Sequence, residues 1–129
     1  MLEETRLLVV SENEDVLSTV SQTLSGHGYA LEIVMNPKLV VERLSHEPTV
    51  SVVIADAETP YLSGIDLYVE MAIEEIATPF VLIAGSQELS RSELNETGIF
   101  DVVLRPIDES ALRTVISQAV KLSQEMKIT

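Results

Sequence analysis

The chain reads as an α/β protein with a doubly wound, five-stranded parallel sheet, and three observations carry that reading. Short apolar runs without in/out alternation recur along the sequence, as expected of strands covered on both faces. Each run is followed by a segment whose apolar residues repeat at helical spacing, which makes five βα units. Four of these runs end at Ser11-Glu12, Asp56, Ala84-Gly85 and Arg105-Pro106, three of them with an abrupt change to polar or charged residues. Open α/β sheets gather their chemistry outside the carboxyl ends of the strands, so these four exits are expected to converge.

The elements follow in order. Strand one is Leu7-Leu8-Val9-Val10, and the helix after it carries Val16, Leu17, Val20 and Leu24 before Gly26 and Gly28 end it. Strand two spans Tyr29–Val34. Asn36-Pro37 supplies an N-cap with proline at the first helical position, Val40, Val41 and Leu44 supply the stripe, and Pro48 stops the helix. Strand three covers 50–55. Helix three runs over about 63–76, with Ile65, Leu67, Val69, Ile73 and part of Ile76 expected to face inward. Pro79 introduces strand four, Phe80-Val81-Leu82-Ile83. Ser90-Arg91-Ser92-Glu93 has the form of a capping box opening a short fourth helix, which Gly98 closes. Strand five is 100–104, and Asp108 caps a fifth helix along Leu112, Val115, Ile116, Ala119 and Leu122. From about residue 120 that helix is expected to extend or to open a linker. No repeat, low-complexity tract or internal linker interrupts the series, so residues 1–129 are expected to form a single domain.

Composition narrows the function. A chain of 129 residues with 46% hydrophobic content is long enough for a real core, aliphatic because aromatics are few. The absence of cysteine excludes a disulfide framework and a Cys-ligated zinc site, and suits a cytoplasmic setting. Met1-Leu2-Glu3-Glu4 offers no basic n-region and no long apolar stretch, so neither a signal peptide nor a membrane span is expected. A net charge of −13 repels phosphate backbones, so no direct nucleic-acid binding is expected; the acidity suits basic patches on partner proteins.

The most informative residue is Asp56, at the exit of Val52-Val53-Ile54-Ala55 and ahead of Pro60 and Gly64. Together with Leu104-Arg105-Pro106 and the order of elements, this spacing resembles the receiver domains of bacterial two-component response regulators, the CheY-like family. The resemblance covers essentially the whole chain and implies a flavodoxin-like (βα)5 fold with strand order 2-1-3-4-5. It also implies that Asp56 is the phosphoacceptor, charged by a histidine kinase, a phosphotransfer protein or a small phosphodonor, with Mg2+ held by Glu12, Asp56 and the backbone carbonyl of Glu58. The residue types suit that chemistry. A carboxylate is a competent nucleophile toward phosphorus, and a hard cation offsets its repulsion of phosphoryl oxygens.

Several positions depart from the family pattern. Ser11 replaces one acid of the pair after strand one, and Glu12, one methylene longer than aspartate, takes the other. Ala84 removes the phosphoryl-binding hydroxyl, Val102 replaces a reporting aromatic ring, and Arg105 stands for the usual lysine, keeping the charge but presenting a planar fork. Ser86 is a candidate substitute for the lost hydroxyl. The resemblance further implies a cis Arg105-Pro106 bond, an attached output domain or partner protein, and a homodimer through helix four, strand five and helix five. These departures favour a divergent receiver with a weakened Mg2+ site, acting in signalling and not as a metabolic enzyme. They also leave open a pseudo-receiver that binds partners independently of phosphorylation. A flavin-binding relative is disfavoured because the loop after strand one lacks a phosphate-cradling Gly/Ser/Thr cluster.

Overall fold

In the computed structural model, residues 5–59, 62–85 and 98–128 are described. Five parallel strands among them form one sheet in the order β2-β1-β3-β4-β5. They are β1 (Thr5–Val10), β2 (Tyr29–Val34), β3 (Val52–Asp56), β4 (Phe80–Ala84) and β5 (Asp101–Leu104). Helices α1 (Glu14–Leu24), α2 (Val40–Leu44) and α3 (Gly64–Ile73) follow the first three strands, and a C-terminal helix covers Glu109–Ile128. The fold class is the one the sequence pattern predicts, and the strand order is the one the family resemblance implies.

Alternation of side chains along each strand builds two cores, one per face of the sheet. Leu7, Val9, Ile54, Val81, Ile83 and Val103 point to the face covered by α1 and the C-terminal helix, meeting Val20, Leu112 and Ile116. Leu8, Val10, Val53, Ala55, Phe80 and Leu82 point to the opposite face, meeting Val40, Leu67 and Met71. Every residue of β3 and β4 is buried, which is why those runs read as continuously apolar. Among the described residues, no helix is long and apolar enough to cross a membrane.

The caps explain where helices begin. Asn36 accepts from the Lys38 N–H, but the segment it opens is first a 3₁₀ turn over Pro37–Leu39 and only then α2. Ser63 caps α3 by accepting from Asp66 N–H, and Asp108 accepts from Ala111 N–H at the start of the C-terminal helix. After α1 the chain turns through Gly26 and Gly28, both at positive φ, a region that glycine enters at little cost. Strands three and five start later than expected, at Val52 and Asp101.

The expected inward face of helix three is corrected. Leu67 is buried, but Val69 is half exposed and Ile73 is 71% exposed. The buried positions are Gly64, Leu67 and Met71, an i, i+3, i+7 stripe. The expected fourth helix with its capping box, together with Pro60 and Ser86, lies outside the described residues.

Candidate functional site

Strand register brings four chain segments to one edge of the sheet. Val10 of β1 pairs with Ala55 of β3, so the next residue, Ser11, emerges beside Asp56. Asp56 pairs with Ile83, and the following Ala57 N–H still donates to the Ile83 carbonyl at 2.8 Å. Ala84 pairs with Leu104, and the Arg105 N–H donates back to the Ala84 carbonyl at 2.9 Å. The exits after β3 and β5 are therefore held by backbone hydrogen bonds to β4.

Asp56 is 1% exposed, and both of its carboxylate oxygens are engaged. Its Oδ1 accepts from Arg105 Nη2 at 2.6 Å and from the Glu58 backbone N–H at 2.9 Å. Its Oδ2 accepts from the Ser11 hydroxyl at 3.0 Å. A buried carboxylate without such partners would be costly; here a charge-assisted contact and two further donors offset the loss of water. Arg105 also reaches Glu58, whose Oε2 lies 3.6 Å from Nη1 on a largely solvated side chain. Its Nε is buried and has no hydrogen-bond partner among the described residues. A surface hollow of about 290 Å³, lined by Asp15, Val16, Thr19, Arg105, Pro106 and Ile107, opens beside the guanidinium.

The remaining expected site residues are distributed as follows. Glu12 follows Ser11 on the same loop, is exposed, and makes no hydrogen bond or ion pair among the described residues. Glu58 lies two residues past Asp56 with its side chain outward. Ala84 is fully buried, and Val102 is half-buried against the α2/α3 core. The Arg105-Pro106 peptide bond is cis. His27 and His46 are exposed and away from this edge.

One residue of the site escaped sequence reasoning. Asn13 caps α1, its Oδ1 accepting from Asp15 N–H at 2.8 Å and Val16 N–H at 3.2 Å, and its own N–H donates to Ser11 Oγ at 3.0 Å. The signal was present, since an Asn before Glu14-Asp15 and an apolar stripe is a helix-start pattern.

The donor set suits a hard divalent cation. Mg2+ is bound through one or two carboxylates and keeps several waters, and Glu12, Asp56 and the Glu58 carbonyl are all oxygen donors at this edge. Among the described residues, no group of three or more His, Cys, Asp or Glu side chains is arranged to hold a metal. The residues present fit Mg2+ in ligand type, with water left to fill out the shell.

Residues 7–117 match the family described as Response regulator receiver domain. The chain belongs to this family. Receiver domains are signalling phosphoacceptors that work with histidine kinases and output domains, and are not enzymes in the ordinary sense. Over 123 residues the receiver is 28% identical to the regulatory protein AtoC of Escherichia coli strain K12, covering 95% of this chain. It spans only 26% of that relative's length. The signal receiver domain of a LuxO-type repressor protein from Vibrio parahaemolyticus superposes with a TM-score of 0.86 at 20% identity, covering 98% of this chain and 97% of that one. The receiver domain of a sensor histidine kinase from Pseudomonas aeruginosa PAO1, which has a magnesium ion coordinated in its active-site cleft, superposes with a TM-score of 0.78 at 16% identity, covering 92% and 99%. At these identities the structural likeness speaks for the fold alone.

Proposed function

We propose that this receiver is phosphorylated on Asp56 in a two-component phosphorelay and that the modification regulates an attached output domain or a separate partner. The observation that carries the reading is the pocket itself: a buried carboxylate with a guanidinium 2.6 Å from one oxygen, at the meeting point of four strand exits. In the reaction, an Asp56 oxygen attacks the phosphorus of a phosphohistidine or an acyl phosphate. The new P–O bond makes an aspartyl phosphate, and the bond to the donor breaks with its electron pair leaving on the imidazole or the carboxylate. Arg105, whose Nη2 already lies 2.6 Å from Asp56, stabilises the charge on the transferred group. When bound, Mg2+ would offset charge repulsion and orient the group in line; Glu12, Asp56 and the Glu58 carbonyl are its proposed ligands.

Ala84 offers no hydroxyl to the phosphoryl group, so charge from Arg105 carries more of its stabilisation. With Val102 in place of an aromatic ring, the signal leaves by another route. We assign the protein to the cytoplasm and to protein partners, among them a histidine kinase or phosphotransfer protein and a second copy of the receiver.

Incubation with Mg2+ and acetyl phosphate followed by intact-mass measurement tests the reading. Wild type is expected to gain one phosphoryl group, and Asp56→Asn is expected to gain none. Absence of an adduct on the wild type under forcing conditions would replace this reading with a partner-binding module that works without phosphorylation.

A further inference from the structure

We propose that Arg105 and Ser11 form a built-in lock on Asp56 that competes with a divalent cation for the carboxylate. The inference rests on the reading of this pocket as the cation and phosphoryl site, and concerns how the resting pocket is held. An ionised carboxylate offers about four lone-pair positions. Three are filled from within: two on Oδ1 by Arg105 Nη2 and the Glu58 N–H, and one on Oδ2 by Ser11. The serine is not a free rotor. Its Oγ accepts from the Asn13 N–H, which orients its single proton toward Asp56. Ser11 is completely buried, so no water competes for that bond.

Arg105 differs from a point charge at the same place. Its planar fork spans two carboxylates with two separate nitrogens, Nη2 on Asp56 at 2.6 Å and Nη1 3.6 Å from Glu58, where an ammonium would have to serve both from one nitrogen. A cation seeking Asp56 finds one lone-pair position left, on Oδ2, beside the positive charge of this fork, so the fork and the cation oppose each other at one carboxylate, and by linkage whatever weakens the fork favours the cation. Glu12, exposed on the neighbouring loop and without a hydrogen bond or ion pair among the described residues, is left to attract the cation from outside. Ser11 therefore has an effect opposite to that of the acid it replaces: its hydroxyl occupies an oxygen of Asp56 and supplies no charge to hold a metal.

Calorimetric titration with MnCl2 and MgCl2, with no phosphodonor present, tests the lock on folded wild type, Arg105→Lys, Ser11→Ala and Asp56→Asn. Arg105→Lys keeps the charge and loses the span; it is expected to bind Mn2+ about 5-fold more tightly than wild type, the scale of one net hydrogen bond. Ser11→Ala is expected to tighten binding about 2- to 5-fold on the same ground. Asp56→Asn is expected to lose binding, which locates the cation. The proposal is overturned if Arg105→Lys binds no more tightly than wild type, if Ser11→Ala binds more weakly, or if no variant binds at all. Because the readout is equilibrium binding, failure here leaves the phosphoryl adduct on Asp56 as a separate result, and failure of that adduct leaves this competition measurable.

Discussion

Gly64 sets how closely α3 can approach the strand that ends at Asp56. A Cβ added there would lie 2.7 Å from Leu82 Cδ1, 2.8 Å from the Asp56 carbonyl oxygen and 3.1 Å from Ala57 Cα. Two of those atoms are backbone in the buried end of the sheet and have little room to give. Helix propensity by itself favours alanine over glycine by up to about 1 kcal/mol. The close contact reverses the sign, so Gly64→Ala is expected to lower stability by about 1–3 kcal/mol, the usual cost of overpacking. Urea unfolding monitored by circular dichroism checks this, and a neutral or stabilised variant would show that the loop before α3 shifts freely. In the sequence, Gly64 stood out only by its spacing from Asp56; its reason lies in a backbone contact across the chain. Arg105 is a similar case. Its charge and its proline neighbour were legible, whereas its simultaneous hold on Asp56 and Glu58 depends on two loops arriving at the same edge.

At the scale of elements, the edge strand and the short α2 are tied by charge. Arg43 donates to Glu32 of β2 through Nε at 2.5 Å and Nη2 at 2.8 Å, and to the carbonyls of His46 and Pro48. The hydrogen bond from Arg43, with the charges of Arg43 and Arg6, holds the Glu32 carboxyl below its ordinary value of 4.5, against a smaller opposing effect of burial. A depressed carboxyl pKa contributes stability that is present above the ordinary value and is lost as pH falls through the folded one. The melting-temperature gap between wild type and Glu32→Gln is therefore expected to stay constant from neutral pH down to about pH 5 and to shrink below it. A gap that widened on acidification would show that the pair does not stabilise the fold. Sequence reasoning found both elements but not this pair, because Glu32 and Arg43 have no mutual spacing signal across a strand and a helix. The inward face of α3 was misassigned for a related reason. Apolar residues at 65, 67, 69, 71 and 73 surround that helix, so periodicity alone does not choose the stripe; contact with Phe80 and Leu82 on the sheet selects Leu67 and Met71.

At the scale of the whole molecule, a charge of −13 on 129 residues is a self-repelling surface around two aliphatic cores. Screening that repulsion stabilises the compact state, so the melting temperature is expected to rise as NaCl goes from about 10 mM to about 500 mM, where the Debye length falls to a few ångströms. A flat or falling curve would mean that local ion pairs such as Arg43–Glu32 and Arg105–Asp56 outweigh the net charge. The class of fold, the strand order implied by the family resemblance, and the importance of Asp56 and Arg105 were all legible along the chain. This is so because burial on both faces demands unbroken apolar strands, and because strand exits are marked by abrupt polarity. That Ser11 donates to Asp56, that Asn13 orients Ser11, and that Glu12 stands outside the network became visible in the folded chain alone. Those contacts are fixed by strand register to within a single residue, and register is a property of paired strands that no single segment carries.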